Sequence, residues 1–166
     1  MIVIRPATLA DLPSLVDIYN YAVLETTATF DLEAQTVAER QAWFASHSPD
    51  VHPLIVAEED GTVLGYSGLL PYRTKPAYRH TVELSIYVHP EAQGHGLGKQ
   101  LMRSIIARAQ EIGHHVIIAG ITGGNESSFR LHKQFGFREV GILREVGYKF
   151  GKWHDVHFYQ LTLPSR

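Results

Sequence analysis

The spacing of apolar positions changes several times along the chain, and each period predicts an element. Residues 2–5 read as a short strand. From about Ala10, the residues Leu12, Leu15, Ile18 and Ala22 recur at helical intervals and share one helix face. Thr36 and Glu39 form a capping-box pattern that opens a second helix carrying Trp43 and Phe44. The pattern then becomes strand-like. Residues 54–58 predict a strand, Asp60-Gly61 a hairpin turn, and residues 63–70 the returning strand. Residues 81–88 predict a third strand, rich in β-branched side chains, so the middle of the chain reads as an antiparallel meander.

A glycine-rich loop over 90–98 follows. It feeds a helix with Leu97, Leu101, Ile105, Ala109 and Ile112 on one stripe, stopped by Gly113. Residues 116–121 are uniformly apolar, which predicts a buried strand. Asn125 is a good N-cap for a helix ending near Phe135-Gly136, and strands at about 138–147 and 153–163 close the chain. This order predicts a mixed α/β (α+β) architecture. With 166 residues and no linker, repeat or low-complexity segment, the expectation is one domain over 1–166.

Composition narrows the function. Hydrophobic residues make up 45% and charged residues 19%, which argues against disorder. The absence of cysteine excludes a disulfide framework, a thiolate zinc site and a cysteine nucleophile. No apolar run nears the roughly 18–20 residues of a membrane span, and Arg5-Pro6 interrupts any signal-like start. The expected location is the cytoplasm, without a membrane partner. The net charge of -2 gives no reason to expect nucleic acid. It is unevenly spread: residues 1–50 hold two basic and seven acidic side chains, while 51–166 hold thirteen and ten. A polyanionic ligand would prefer the later part; ordinary scatter of surface charge is the alternative. Ten histidines invite a metal hypothesis. However, His154 and His157 sit three apart on a strand and so face opposite ways, and His114-His115 diverge likewise, so no metal is expected.

The informative stretch is 87–99, Tyr-Val-His-Pro-Glu-Ala-Gln-Gly-His-Gly-Leu-Gly-Lys, between a strand and a helix. Its glycines let backbone amides approach a ligand, and the helix N-terminus suits phosphate oxygens, with Lys99 and Arg103 adding positive charge. A plain tight turn is the alternative. A Rossmann fingerprint would need glycine where Lys99 stands, and a Walker loop would need Ser or Thr where Gln100 stands, so both fail.

Gln93-Gly94-His95-Gly96-Leu97-Gly98 has the form Q-x-x-G-x-G and resembles the acetyl-CoA pyrophosphate loop of the GNAT N-acetyltransferase superfamily. The element order resembles that superfamily over essentially the whole chain, as do Asn125 opening a helix and Leu131-His132 leading to Phe135-Gly136-Phe137. Within it, four stretches resemble the phosphinothricin, methionine sulfone and methionine sulfoximine N-acetyltransferases. They are Thr-Thr-Ala-Thr-Phe at 26–30, Tyr-Arg-His-Thr-Val-Glu at 78–83, Ser-Ile-Tyr-Val-His-Pro at 85–90, and Gly-Tyr-Lys-Phe-Gly-Lys-Trp-His-Asp-Val at 147–156.

The resemblance implies a mixed, mostly antiparallel sheet of about seven strands flanked by about four helices. It implies a V-shaped opening between the 81–88 and 116–121 strands that takes acetyl-CoA as co-substrate. Backbone groups of Ile86, Tyr87 and Val88 would align the pantetheine and thioester. Gln93, Gly94, His95, Gly96, Leu97, Gly98 and Lys99 would hold the pyrophosphate, and Asn125 and Ser128 would meet the pantetheine arm. Glu83 takes the place of the base that removes the amine proton, and a strand N–H near Val88 would stabilise the oxyanion. From the residues alone, an ion pair of Glu83 with Arg79 or His80 is the other reading. His132 stands where many relatives place an acidic tyrosine; Tyr148 and release of the free thiolate are alternatives.

For a small amino-acid acceptor, the resemblance implicates Tyr72, Arg73 and Thr74, with Val82, Glu83 and Leu84 beside them, Arg79 as a further carboxylate partner, and Phe30 as a wall or a core residue. The implied activity is N-acetylation of the α-amine of a small amino acid or analogue by direct attack in a ternary complex. A peptide or protein amine and a non-catalytic acyl-CoA sensor are the competing readings. Relatives are commonly homodimers, and the aromatic C-terminal strands are the expected interface.

Overall fold

The computed structural model of the protein describes residues 1–165. The chain runs β1 (Ile2–Pro6), α1 (Leu12–Glu25), α2 (Val37–Ala45), β2 (Leu54–Glu59), β3 (Thr62–Pro71), β4 (Thr81–Val88), α3 (Leu97–Ile112), β5 (Val116–Thr122), α4 (Glu126–Gln134), β6 (Arg138–Lys149) and β7 (Lys152–Thr162). All seven strands form one sheet in the order β1-β2-β3-β4-β5-β7-β6. Every neighbouring pair is antiparallel except β4–β5.

Local chemistry accounts for the element ends. The Thr36 side chain accepts from the Glu39 amide at 3.1 Å and starts α2. Asp60 and Gly61 both take positive φ, as a tight β2–β3 hairpin requires. Helix α1 begins at Leu12, slightly later than its periodicity predicts, because a 3₁₀ turn occupies Leu9–Asp11. There the Asp11 carboxylate accepts from the Thr8 amide and from Arg5. At the other end, β6 runs to Lys149 and β7 starts at Lys152, a longer hairpin than the sequence pattern marks.

The sheet separates two apolar layers. On one face, the α3 stripe of Leu97, Leu101, Ile105 and Ala109 packs with Val82, Leu84, Ile117, Ala119 and α4's Phe129. Each buried leucine, isoleucine, valine or phenylalanine among them contributes about 1.5–3 kcal/mol. On the other face, Leu15 and Ile18 of α1 pack on Val56 and Tyr66, with Trp43 and Phe44 of α2 alongside.

The break that matters for function lies in β4. Its edge toward β3 is paired from Val82 through Val88. Its edge toward β5 is paired only at Thr81–Val116, Val82–Ile117 and Glu83–Ile118. Beyond Glu83 the two strands follow different partners, β4 with β3 and β5 with β7, and a wedge opens between them.

Candidate active site

The wedge is a cavity of about 200 Å³. Its walls are Glu83 to Tyr87 of β4, Ala119 to Thr122 of β5, and Asn125, Ser128 and His132 around α4. Ala28 and Thr29, from the segment after α1, close it on one side. Gly120 lies in this wall, and a Cβ there would touch Phe158 and Val156 of β7 at 3.5 Å.

The hydrogen-bond ladder fixes which backbone groups of β4 face the wedge. The His89 amide donates to Leu64 O at 2.7 Å and the Tyr72 amide to Thr81 O at 3.3 Å. Antiparallel alternation therefore turns residues 81, 83, 85 and 87 toward β3, and residues 82, 84, 86 and 88 toward β5. Past Glu83 there is no β5 partner, so the Ile86 and Val88 amides point into the opening unpaired. Side chains alternate as well. Val82, Leu84, Ile86 and Val88 lie toward α3, whereas Glu83, Ser85 and Tyr87 lie toward α1 and α2.

The glycine-rich loop continues from the open end of β4. Gln93 donates from its amide nitrogen to Val88 O at 3.3 Å, which ties the loop to the strand. Gly94 (φ 82°) and Gly96 (φ 79°) take left-handed backbone, and Gly96 caps α3. The Gln100 amide is bonded to Gly96 O, so the amides of Leu97, Gly98 and Lys99 precede the helical ladder. They stand at the positive end of α3's dipole, and His95 and Lys99 are exposed beside them. Gly98 faces Leu131 of α4, where a Cβ would make ordinary contact at 3.5 Å. These features fit an anionic pyrophosphate at the loop and an amide-bearing arm along β4.

Residues 26–31 form a strap across the wedge, tied to four elements. Thr122 of β5 donates its hydroxyl to Thr27 O at 2.6 Å, and Tyr87 of β4 donates to Ala28 O at 3.4 Å. Lys149 of β6 donates to Thr29 O at 2.8 Å, and Tyr19 of α1 shares hydrogen bonds with Thr29 Oγ1 and Asp31. Phe30 packs over Gly147, where any added Cβ would collide with its ring, and lies beside His154.

Most polar side chains on the cavity wall are thus already engaged. Thr29, Thr122 and Tyr87 hold the strap, and Asn125 Oδ1 caps α4 by accepting from the Ser128 amide at 3.3 Å. His132 is buried, with Nδ1 2.7 Å from Ser128 O. A carbonyl only accepts, so Nδ1 carries the hydrogen and Nε2 is the free ring nitrogen. Burial depresses the His132 pKa below its ordinary value, which leaves the ring neutral near pH 7.

Glu83 and Ser85 have no side-chain hydrogen bond among the described residues. They stand two apart on one face of β4. Glu83 is open to solvent at one side, yet the cavity walls desolvate its carboxylate and push its pKa above the ordinary glutamate value. The alternative ion pair is not formed: Arg79 donates to His80 Nε2 at 3.2 Å, and no cation pairs with Glu83 among the described residues.

The structure therefore brings Glu83, Leu84, Ile86, Tyr87, Asn125, Ser128 and His132 to one cavity, with the Val88 amide at its mouth and Gln93 to Lys99 just beyond. Others lie apart from its walls. Val82 is fully buried beneath α3. Tyr72, Arg73 and Thr74 belong to the exposed β3–β4 loop, where Arg73 lies over the Tyr72 ring at 5.1 Å. Arg79 is exposed on the same loop, and Tyr148 stacks with Trp153 on the outer hairpin. The sequence reading missed Ser85, Thr29 and Thr122. Strand alternation from Glu83 marks Ser85, but nothing local marks the other two, whose role depends on distant partners.

Residues 15–137 match the profile of the Acetyltransferase (GNAT) family. The chain is 45% identical over 163 residues to a phosphinothricin N-acetyltransferase of Streptomyces coelicolor, covering 96% of this chain and 95% of the relative. It is 44% identical over 165 residues to an L-methionine sulfoximine/L-methionine sulfone acetyltransferase of Pseudomonas aeruginosa, covering 98% and 96%. The fold is similar to the crystal structure of a phosphinothricin acetyltransferase from Sinorhizobium meliloti in complex with acetyl-CoA. The TM-score is 0.94 and the identity 37%, over 98% of this chain and 88% of that one.

Proposed function

The chain belongs to the acetyltransferase (GNAT) family, and we propose that it transfers the acetyl group of acetyl-CoA to the α-amine of a small amino acid or analogue, of the phosphinothricin, methionine sulfoximine or methionine sulfone kind. The observation that carries this reading is the β4–β5 wedge: unpaired strand amides on one wall, a glycine-rich loop at its mouth and a desolvated carboxylate without a partner inside.

The free amides of Gly94 to Lys99 and the start of α3 receive the pyrophosphate, with Gln93 and His95 shaping the loop. Ile86 and Val88 align the pantetheine by extending the interrupted ladder, while Tyr87, whose backbone pairs with β3, adds only its side chain to the wall, and Asn125 and Ser128 border the same arm. The amine reaches the thioester from the strap side. Its nitrogen lone pair forms a bond to the carbonyl carbon, the charge on oxygen is met by the Val88 amide, and the carbon–sulfur bond then breaks. Glu83 accepts the proton released by the amine, directly or through water. A raised pKa makes Glu83 a stronger base than an ordinary carboxylate. His132 is the proton carrier for the leaving thiolate: being neutral, it first takes up at Nε2, through water, the second proton that the amine loses on becoming an amide, and then passes it to the sulfur.

Arg73 and Arg79, with Tyr72, Thr74 and Phe30, are assigned to the acceptor carboxylate and its pocket. The β3–β4 loop carries Arg73, Lys75 and Arg79 and no acid, which supports that choice. Val82 and Leu84 turn their side chains beneath α3 and only back this pocket. We further assign a single domain over 1–166, a cytoplasmic location, a role in detoxification, and a homodimer through the β6–β7 hairpin. Half or more of Leu143, Val146, Tyr148, Phe150 and Trp153 is exposed there, an apolar area that a second copy would cover.

The test is thiol release from acetyl-CoA with phosphinothricin, methionine sulfoximine, methionine sulfone, ordinary amino acids and an N-terminal peptide, with the product identified by mass. Turnover confined to the small α-amino acids is expected. Turnover only on the peptide would overturn the acceptor assignment, and acetyl-CoA binding without any turnover would make the chain a sensor.

A further inference from the structure

Among the described residues, Arg40 of α2 is the one buried cation of the α1/α2 face that the site does not use. It is only 9% exposed. Its guanidinium carbon lies 4.0 Å from the ring centre of Tyr19 and 3.9 Å from that of Trp43, so it is sandwiched between two aromatic faces. No carboxylate pairs with it among the described residues, and its Nε is buried without a hydrogen-bond partner. Tyr66 Oη, equally buried, also lacks one.

A buried charge without an acid is an expensive way to fill space. An apolar side chain of similar volume is often as stable or more so. Packing alone therefore gives a weak reason for arginine here, and its surroundings give a better one. Tyr19 stands edge-on to Tyr87 with ring centres 5.6 Å apart, and Tyr66 lies 5.4 Å from Tyr87 and 5.7 Å from Trp43. The cation thus caps a set of tyrosines drawn from α1, β3 and β4. The hydroxyls of two of them hold the strap: Tyr19 engages Thr29 and Asp31, and Tyr87 donates to Ala28. Ala28 and Thr29 are in turn the strap residues that line the wedge. The Tyr19 hydroxyl donates to the Asp31 carboxylate, which makes its ring more electron-rich and its face more attractive to the guanidinium. Asp31 and Arg40 are therefore coupled through one aromatic ring without touching.

We propose that Arg40 is a positioning residue for acetyl transfer: clamped between Tyr19 and Trp43, its guanidinium fixes the tyrosines that hold residues 26–31 against the acceptor side of the wedge. The proposal rests on the acetyl-transfer reading for its kinetic consequence, but its structural consequence is independent of any acceptor.

The test compares wild type with R40M and R40K. Amide hydrogen exchange is followed by mass spectrometry, and KM is measured separately for acceptor and acetyl-CoA. R40M removes charge and planarity while keeping length. It is expected to speed exchange over 26–31 at least 10-fold and to raise the acceptor KM about as much. The acetyl-CoA KM should stay within 2-fold and exchange in the β3–β4 ladder should not change. R40K keeps the charge but cannot stack on both rings, so it should fall between wild type and R40M; if R40M does not fold, R40K carries the comparison. Wild-type strap exchange and wild-type acceptor KM in either variant would overturn the proposal. So would faster exchange spread evenly over the sheet, or a loose strap with an unchanged acceptor KM, since either makes Arg40 a structural tie only. If wild type itself turns over no acceptor, the functional reading fails while the exchange result still decides the role of Arg40.

Discussion

The two sides of the wedge are made of different material. The side assigned to the cofactor is built from backbone: unpaired amides of Ile86 and Val88, left-handed glycines at 94 and 96, and the first turn of α3. The side assigned to the acceptor is built from side chains: Glu83 and Ser85 on β4, and a strap held by Tyr19, Tyr87, Thr122 and Lys149. Backbone donors recognise what every acetyl-CoA presents and tolerate changes in side chains. Side chains recognise one acceptor and can be exchanged without disturbing the cofactor. One scaffold can thus keep its cofactor while its acceptor changes, and a substitution on either side should move one binding constant and spare the other.

The largest expected effect is at Glu83. Glu83→Gln removes the base and keeps the shape, so kcat/KM should fall about 10²–10⁴-fold with acetyl-CoA affinity unchanged, as rate assays beside calorimetry would read. A substitution on the backbone side should do the reverse. Gly96→Val forces a branched side chain into a φ of 79°, at a cost of about 1–2 kcal/mol, and should weaken acetyl-CoA binding roughly 10-fold with little change in the acceptor constant. Gly147→Ala places a methyl group against Phe30 and displaces the strap. Overpacking of that kind costs about 1–3 kcal/mol, so acceptor KM should rise several-fold in steady-state assays. The smallest effect is that of Thr122→Val. It removes the bond to Thr27 O, worth about 1 kcal/mol, and should lower Tm by about 2–4 °C in a melting experiment.

The same division decides what the sequence reveals. The cofactor side is written in short-range signals: glycines at fixed spacing before a helix stripe, and Asn125 as an N-cap. These specify local backbone wherever they occur, and Gly96, Gly113 and Asn125 stand where the patterns place them. The helices and strands were legible for the same reason, since periods of 3.6 and 2 are local. The strap was not. Its bonds join residues 95 and 120 positions apart, Thr122 to Thr27 and Lys149 to Thr29, and no window of sequence contains both partners. Strand order was equally hidden: β7 inserts between β5 and β6 although β6 precedes it in the chain. Choosing 82–84 as a block also overlooked alternation. Only Glu83 of those three turns its side chain toward α1 and α2, and Ser85 is its true neighbour on that face.

The central claim is that Glu83, desolvated in the wedge, takes the proton from the attacking amine. The most direct measurement is the pH dependence of kcat/KM for the acceptor in wild type and Glu83→Gln. A carboxylate with a raised pKa loses its basic form as pH falls through that value. Wild type should therefore show an acid limb centred above 4.5, the ordinary glutamate value, and the variant should lose both this limb and most of the rate. A variant that keeps the same limb and a rate within 3-fold of wild type would contradict the account and move the base elsewhere in the wedge.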